Sequence, residues 1–91
     1  MTNEELFEEL KAVANELGIR VRFETGDFDG GYCLLREKKM LVLNRRFPVP
    51  KKIKTLALGL TEYGLDGLYI KPTVREAIED EIAKAMREAA V

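Results

Sequence analysis

The spacing of apolar residues changes from helical to alternating within the first 23 residues of the chain. Over residues 3–17, apolar side chains recur at the three- and four-residue intervals of an amphipathic helix. Thr2 and Glu5 have the spacing of a capping box, and Gly18 is a typical helix stop. Residues 19–23 then alternate strictly between apolar residues and arginines, which indicates a strand with one face in water. The chain therefore belongs among folds that pack helices on a sheet.

Further strands are predicted in the middle of the chain. Residues 24–31 form a glycine-rich acidic loop, and strands are expected at about residues 32–36 and 40–44. The charged turn between these two strands is so short that they must be antiparallel. A further short strand is left open at residues 68–70.

Two more helices are expected in the second half of the chain. Residues 51–63 and residues from Val74 to about Glu88 both have apolar residues at helical spacing. Thr73 and Glu76 repeat the capping-box spacing. The two prolines within residues 45–50 predict an irregular connection before the second helix.

The fold class expected from these elements is α+β. With 91 residues, the chain has the length of one compact domain, residues 1–91. The element order is helix, three strands, helix, a possible short strand and helix. An antiparallel sheet of three strands, or four with residues 68–70, would carry the three helices on one face.

The residue types that are missing exclude several kinds of catalysis. The sequence contains no histidine, no serine, no tryptophan and a single cysteine. It therefore lacks an imidazole base, a Ser-His-Asp triad and the ligands of a four-residue zinc site. We expect no enzymatic activity and no cofactor.

The sequence also indicates a compartment. Its longest apolar run is residues 40–43, far shorter than the roughly 18 residues of a membrane span. The chain starts with acidic residues rather than with a basic and then apolar signal. With its single cysteine, the protein is expected in the cytoplasm, with no membrane partner.

The formal net charge of −1 hides a strong segregation of charge. Residues 36–54 contain eight basic residues and only Glu37 as an acid, so this block is +7 and the rest of the chain is −8. Lys51, Lys52 and Lys54 fall at a predicted helix N-terminus, where acids are favoured by about 0.3–1 kcal/mol each. Such a placement needs a compensating contact, for example with glutamates of the first helix, or a functional reason.

The functional hypotheses rest on this basic block. The first is a non-enzymatic interaction module that binds an acidic protein partner or a second copy of itself. The alternative is binding to nucleic-acid phosphates. Only Phe47 interleaves the basic residues of the loop, whereas single-strand binders usually offer several stacking aromatics. The candidate partner-binding residues are Arg45, Arg46, Lys51, Lys52, Lys54 and Leu58.

Two residues of the second helix are unusual. Leu58 points nearly opposite the apolar stripe, so it is exposed, covered by another element or part of an interface. Gly59 lowers helix stability by about 1 kcal/mol relative to alanine, and close approach of a neighbouring backbone would explain it.

Two other motifs have ordinary explanations. Residues 27–31 begin like a calcium loop, but Lys38 stands where the twelfth-position glutamate is required. We therefore expect an irregular turn there. Cys33 has no histidine to activate it and is expected to be a small buried residue rather than a nucleophile.

Residues 55–63 resemble the helix of the ImmA/IrrE-type metallopeptidases, which carries a pattern close to T-L-A-H-E-L-G-H-Y. In that family the helix follows a helix, a short sheet and a strand that ends near an asparagine, an order similar to residues 3–64 here. The residues that match are Thr55, Leu56, Ala57, Leu60 and Tyr63 in the helix and Asn44 at the strand end.

The residues that bind zinc in that family are replaced here. Leu58 and Glu62 stand in place of the two histidines, and Gly59 stands in place of the catalytic glutamate. The resemblance thus implies a metal-free relative that keeps the scaffold, with no catalytic or metal-binding residue. The whole chain also looks like a small bacterial protein family, and this likeness implies no function.

Overall fold

The computed structural model describes residues 1–26, 33–35 and 39–90 of the chain. The fold is α+β with three helices, as the sequence predicts. The predicted loop at residues 27–31, the charged turn at residues 37–38 and the environment of Cys33 lie outside what is described. The elements are α1 (Asn3–Glu16), β1 (Arg20–Glu24), β2 (Cys33–Leu35), β3 (Met40–Asn44), α2 (Val49–Tyr63) and α3 (Pro72–Ala89).

The first helix begins with the predicted capping box. The Thr2 hydroxyl accepts a hydrogen bond from the Glu5 backbone N–H at 3.1 Å, and the Glu5 carboxylate accepts one from the Thr2 backbone N–H at 3.2 Å. Hydrogen bonds to the Glu5 carboxylate from Thr2, chiefly from its backbone N–H and next from its side chain, hold the pKa of Glu5 below its ordinary value of 4.5. Gly18 follows the helix with a φ of 74°, which confirms the predicted stop.

The sheet is mixed, so the prediction of a wholly antiparallel sheet is wrong. Its strand order is β1-β3-β2. β3 pairs in parallel with β1, from Arg20 opposite Met40 to Glu24 opposite Asn44, and antiparallel with β2. β3 has four apolar residues and is buried at every position except the half-buried Val42, and the central position covers both of its edges. The strand with alternating arginines takes an edge, where its polar face can remain in water.

Residues 68–70 form no strand, so the optional fourth strand is wrong. Ile70 instead packs into the core, while Tyr69 beside it is 80% exposed. The segment is a connection in which Leu68 also packs against the core, and no described strand includes it.

Both later helices begin earlier than predicted, each with a proline in its first turn. α2 starts at Val49, so the expected irregular connection is wrong for Val49 and Pro50. α3 starts at Pro72, which places Thr73 inside the helix, and no capping box forms there. The reason is the same for both helices, because a first-turn residue has no intrahelical acceptor and proline loses no hydrogen bond there.

The core lies between the sheet and the three helices. Gly59 of α2 faces Leu41 of β3, and a Cβ atom at Gly59 would lie 2.8 Å from Leu41 Cδ2. The close neighbour predicted for Gly59 is therefore a side chain rather than a backbone. The fully buried large side chains are Leu10, Leu41, Leu43, Leu56, Leu60 and Val74.

Candidate interaction surface

Four basic residues surround the connection from β3 to α2, and we call them the β3–α2 basic surface: Arg45, Arg46, Lys51 and Lys52. Arg45 and Arg46 follow directly after β3, whereas Lys51 and Lys52 lie in the first turn of α2. The first turn of α2 contains no acidic residue, and no side chain caps it. The backbone amides there add their positive partial charge to that of the lysines.

Asn44 fixes the backbone that carries this surface. Its side chain is buried, with 3% exposed. The Asn44 Nδ2 group donates to the Gly26 carbonyl at 3.0 Å, and Oδ1 accepts from the Arg46 backbone N–H at 3.0 Å. The Phe47 backbone N–H donates to the Asn44 carbonyl at 3.1 Å. One asparagine thus ties the turn to the segment that follows β1.

Phe23 of β1 brings two of the basic residues together. The Arg45 guanidinium donates to the Phe23 carbonyl at 3.5 Å. The Lys52 ammonium lies 5.6 Å from the centre of the Phe23 ring, within the range of a cation–π contact. The Phe7 ring meets the Phe23 ring edge-on at 6.0 Å and supports it from the α1 side. Arg45 and Lys52 therefore both contact Phe23, one at its carbonyl and the other at its ring, although they belong to different elements.

Lys51 lies over another aromatic ring. Its ammonium is 4.1 Å from the centre of the Phe47 ring, and Phe47 is only 8% exposed. The ring therefore supports a lysine and is not open for stacking with a nucleic-acid base.

The last two predicted partner-binding residues point elsewhere. The Lys54 ammonium pairs with Glu88 of α3 at 3.1 Å, so the contact that compensates this lysine comes from α3 rather than α1. Leu58 is half-buried but does not belong to the core cluster. Neither residue lies among the contacts around Phe23 and Phe47.

The glutamates of α1 have other roles in the part of the chain that is described. Glu5 caps α1, and Glu8 pairs with Lys11 at 3.0 Å. Glu9 pairs with Lys71 at 2.9 Å, and this hydrogen-bonded contact raises the pKa of Lys71. None of these ion pairs involves Lys52, so these glutamates of α1 do not make the predicted compensating contact with this lysine.

The partner-binding residues predicted from the sequence did not include the two arginines of β1. Arg20 and Arg22 alternate along β1 and are exposed. Their pattern was clear from the sequence, but their place on the strand that Arg45 contacts depends on the parallel pairing of β1 with β3. This pairing ends with the Arg45 backbone N–H donating to the Glu24 carbonyl at 2.8 Å.

Comparison of the chain with protein-family models, curated proteins and solved structures finds no match. The resemblance to the ImmA/IrrE-type metallopeptidases stays a prediction.

The positions that would carry zinc chemistry in that family lie apart from the basic surface. Gly59 is packed against Leu41, Leu58 is half-buried, and Glu62 is exposed. Across the described residues, no helix is both long and apolar enough to cross a membrane. Arg45 and Lys52 are positively charged side chains held in place by Phe23, and such cations can bind carboxylates or phosphates.

Proposed function

We propose that this protein is a small non-enzymatic interaction module that binds an acidic protein segment through the β3–α2 basic surface. The observation that carries the proposal is the convergence of Arg45 and Lys52 on Phe23. An aromatic face and a backbone carbonyl hold these two cations without neutralising them, so they retain charge for an external anion. The single cysteine supports a cytoplasmic location for this module.

The aromatic residues in the described part of the chain favour an acidic protein over a nucleic acid as the partner. Phe47 lies under Lys51, and Phe23 lies between Phe7 and Lys52. Tyr69 is an exposed aromatic residue, but it borders a depression that also includes Glu9 and Glu16. Single-stranded nucleic acids usually bind where open aromatic rings and cations occur together.

The proposal is tested by titrating the protein with a fluorescent ten-residue glutamate peptide and, separately, with single-stranded RNA and DNA of ten nucleotides. Binding of the peptide should weaken as the salt concentration rises. Lys52→Glu and Arg45→Glu should each weaken it about three- to tenfold, the size expected for an exposed charge contact.

Arg75→Glu is the matched control, because it changes the charge equally but lies near the C-terminal end of α2, where Arg75 borders a groove with Thr61 and Gly64. Equal weakening by Arg75→Glu and Lys52→Glu would contradict a localised site. Tighter binding of RNA or DNA than of the peptide would favour the nucleic-acid alternative. No binding of the peptide at low salt would overturn the proposal.

A further inference from the structure

The outer edge of β1 is open in the part of the chain that is described. β1 pairs only with β3, and the Arg20 backbone N–H donates to the Lys39 carbonyl at 2.7 Å. Since backbone groups point to alternate sides along a strand, Arg20, Arg22 and Glu24 direct theirs toward β3. Val21 and Phe23 therefore direct their backbone N–H and C=O groups away from the sheet. The Phe23 carbonyl accepts from the Arg45 guanidinium there, which leaves the Val21 N–H and C=O groups and the Phe23 N–H group without a partner among the described residues. An extended segment could pair with these groups by strand addition.

One face of β1 is apolar and the other is basic, which indicates the side chains that a pairing segment would need on each face. The Val21 and Phe23 side chains pack against the core, while Arg20 and Arg22 are exposed on the other face. Arg22 pairs with Glu24 at 2.6 Å, and no described residue forms an ion pair with Arg20. A pairing segment would complement the two faces of β1 if it placed acidic side chains beside the arginines and apolar side chains beside Val21 and Phe23.

Charge also distinguishes an acidic partner from a second copy of this chain. Among the described residues, the basic side chains that lie on β1 or contact it are Arg20, Arg22, Arg45 and Lys52, and the acidic residue of the strand is Glu24. Two β1 edges brought together would repeat this excess of positive charge on both sides, whereas an acidic strand would neutralise it.

From these observations, we infer that the acidic segment binds by adding an extended strand to the outer edge of β1, with acidic and apolar residues in alternation. This inference rests on the proposed function and specifies how the same surface would recognise its partner. Phe23 links the two, because it belongs to the open edge and also contacts Arg45 and Lys52.

The test uses the full chain and an eight-residue peptide of alternating glutamate and valine. Val21→Pro removes one outward N–H group, and proline is tolerated on an edge strand where that group faces solvent. Val21→Ala is the matched control, because it shortens the same side chain but keeps the N–H group. We expect Val21→Ala to bind within about twofold of the unaltered chain, and Val21→Pro to bind at least about fivefold more weakly.

A second measurement does not depend on whether Val21→Pro folds. Two versions of the peptide carry N-methyl groups, one on every glutamate and the other on every valine. In an added strand, the amides of only one residue type face β1, so one version should lose binding and the other should keep it. Binding through side-chain charge alone would make the two versions equal.

The outcomes separate the two proposals. Equal binding by both methylated peptides, with Lys52→Glu still weakening the affinity, would overturn strand addition and leave the basic surface as the binding site. Failure of all acidic peptides to bind would overturn both. Sedimentation showing a dimer that Val21→Pro dissociates and Val21→Ala does not would make a second copy the occupant of the edge, and this result would also overturn the inference.

Discussion

Gly59 of α2 lies so close to Leu41 of β3 that an added methyl group would reach within 2.8 Å of the leucine side chain. Replacement of Gly59 by alanine would gain about 1 kcal/mol in helix propensity. Forcing a methyl group against a fully buried leucine costs about 1–3 kcal/mol. We therefore predict that Gly59→Ala lowers the free energy of unfolding by about 1 kcal/mol in urea denaturation.

The cause of that loss can be tested with a second substitution. Leu41→Val shortens the opposing side chain, so adding it to Gly59→Ala should cost less than the sum of the two single changes. A Gly59→Ala variant more stable than the unaltered chain would show that Leu41 moves away at little cost.

Asn44 should matter both for stability and for binding. Asn44→Ala leaves the Gly26 carbonyl and the Arg46 N–H without the hydrogen bonds from this side chain. The expected loss is about 1–3 kcal/mol in the free energy of unfolding. The turn that carries Arg45 and Arg46 would also lose its anchor, so affinity for acidic peptides should fall. Asn15→Ala, at an exposed position of α1, is the control and should change neither quantity appreciably.

The capping box makes part of the stability dependent on pH. The pKa of Glu5 is lowered in the folded protein, so its ionised form stabilises the fold at pH values above its ordinary pKa of 4.5. This contribution is lost as the pH falls through the lower, folded-state pKa. We predict that the chain is more stable than the Glu5→Gln variant at pH 7 and that the difference shrinks below pH 4.5.

Chemical denaturation of the two proteins across that pH range is the direct measurement. A difference that stayed constant with pH would mean that the hydrogen bonds, rather than the charge of Glu5, carry the effect. The Thr2→Ala variant keeps the backbone N–H that makes the main contact to Glu5 but loses the hydroxyl that also lowers its pKa, so it should retain a weaker pH dependence of the same sign.

Lys54 and Lys52 should differ in their effect on binding. Lys54 pairs with Glu88 of α3, whereas Lys52 lies over the ring of Phe23, whose carbonyl Arg45 contacts. Lys52→Ala should therefore weaken binding of an acidic peptide about threefold, while Lys54→Ala should change it by less than about twofold. Fluorescence titration of both variants provides the comparison, and equal losses would place Lys54 in the binding surface.

The features that could be predicted from the sequence depend on neighbours within a few residues. Thr2 and Glu5 are three positions apart, and Gly18 directly follows the helix it ends, so α1 could be outlined from residue spacing. The basic residues around β3 and α2 could also be recognised as a block. Their division into a cluster at Phe23 and an outlying Lys54 could not, because Lys54 and Glu88 are 34 positions apart.

The order of the strands could not be predicted for a related reason. A short turn determines that β2 and β3 are antiparallel, but local spacing does not decide which side of β3 the earlier strand takes. The position of β1 depends instead on the burial of β3 in the centre of the sheet, and that burial depends on the assembled helices. The starts of α2 and α3 were predicted too late because Pro50 and Pro72 were expected to exclude helix. Proline is compatible with the first turn of a helix, and both prolines lie there.

The central position of β3 also has a consequence for the order in which the protein assembles. Each residue of β1 pairs with one twenty positions later, from Arg20 with Met40 to Glu24 with Asn44, whereas the nearest pair between β2 and β3 is Leu35 with Met40. Closing the shorter loop costs less entropy, so the β2–β3 hairpin should form before β1 joins it. β1, the strand synthesised first, is thus the last to pair, and in the described part of the folded chain its outer side still carries the unpaired N–H groups of Val21 and Phe23.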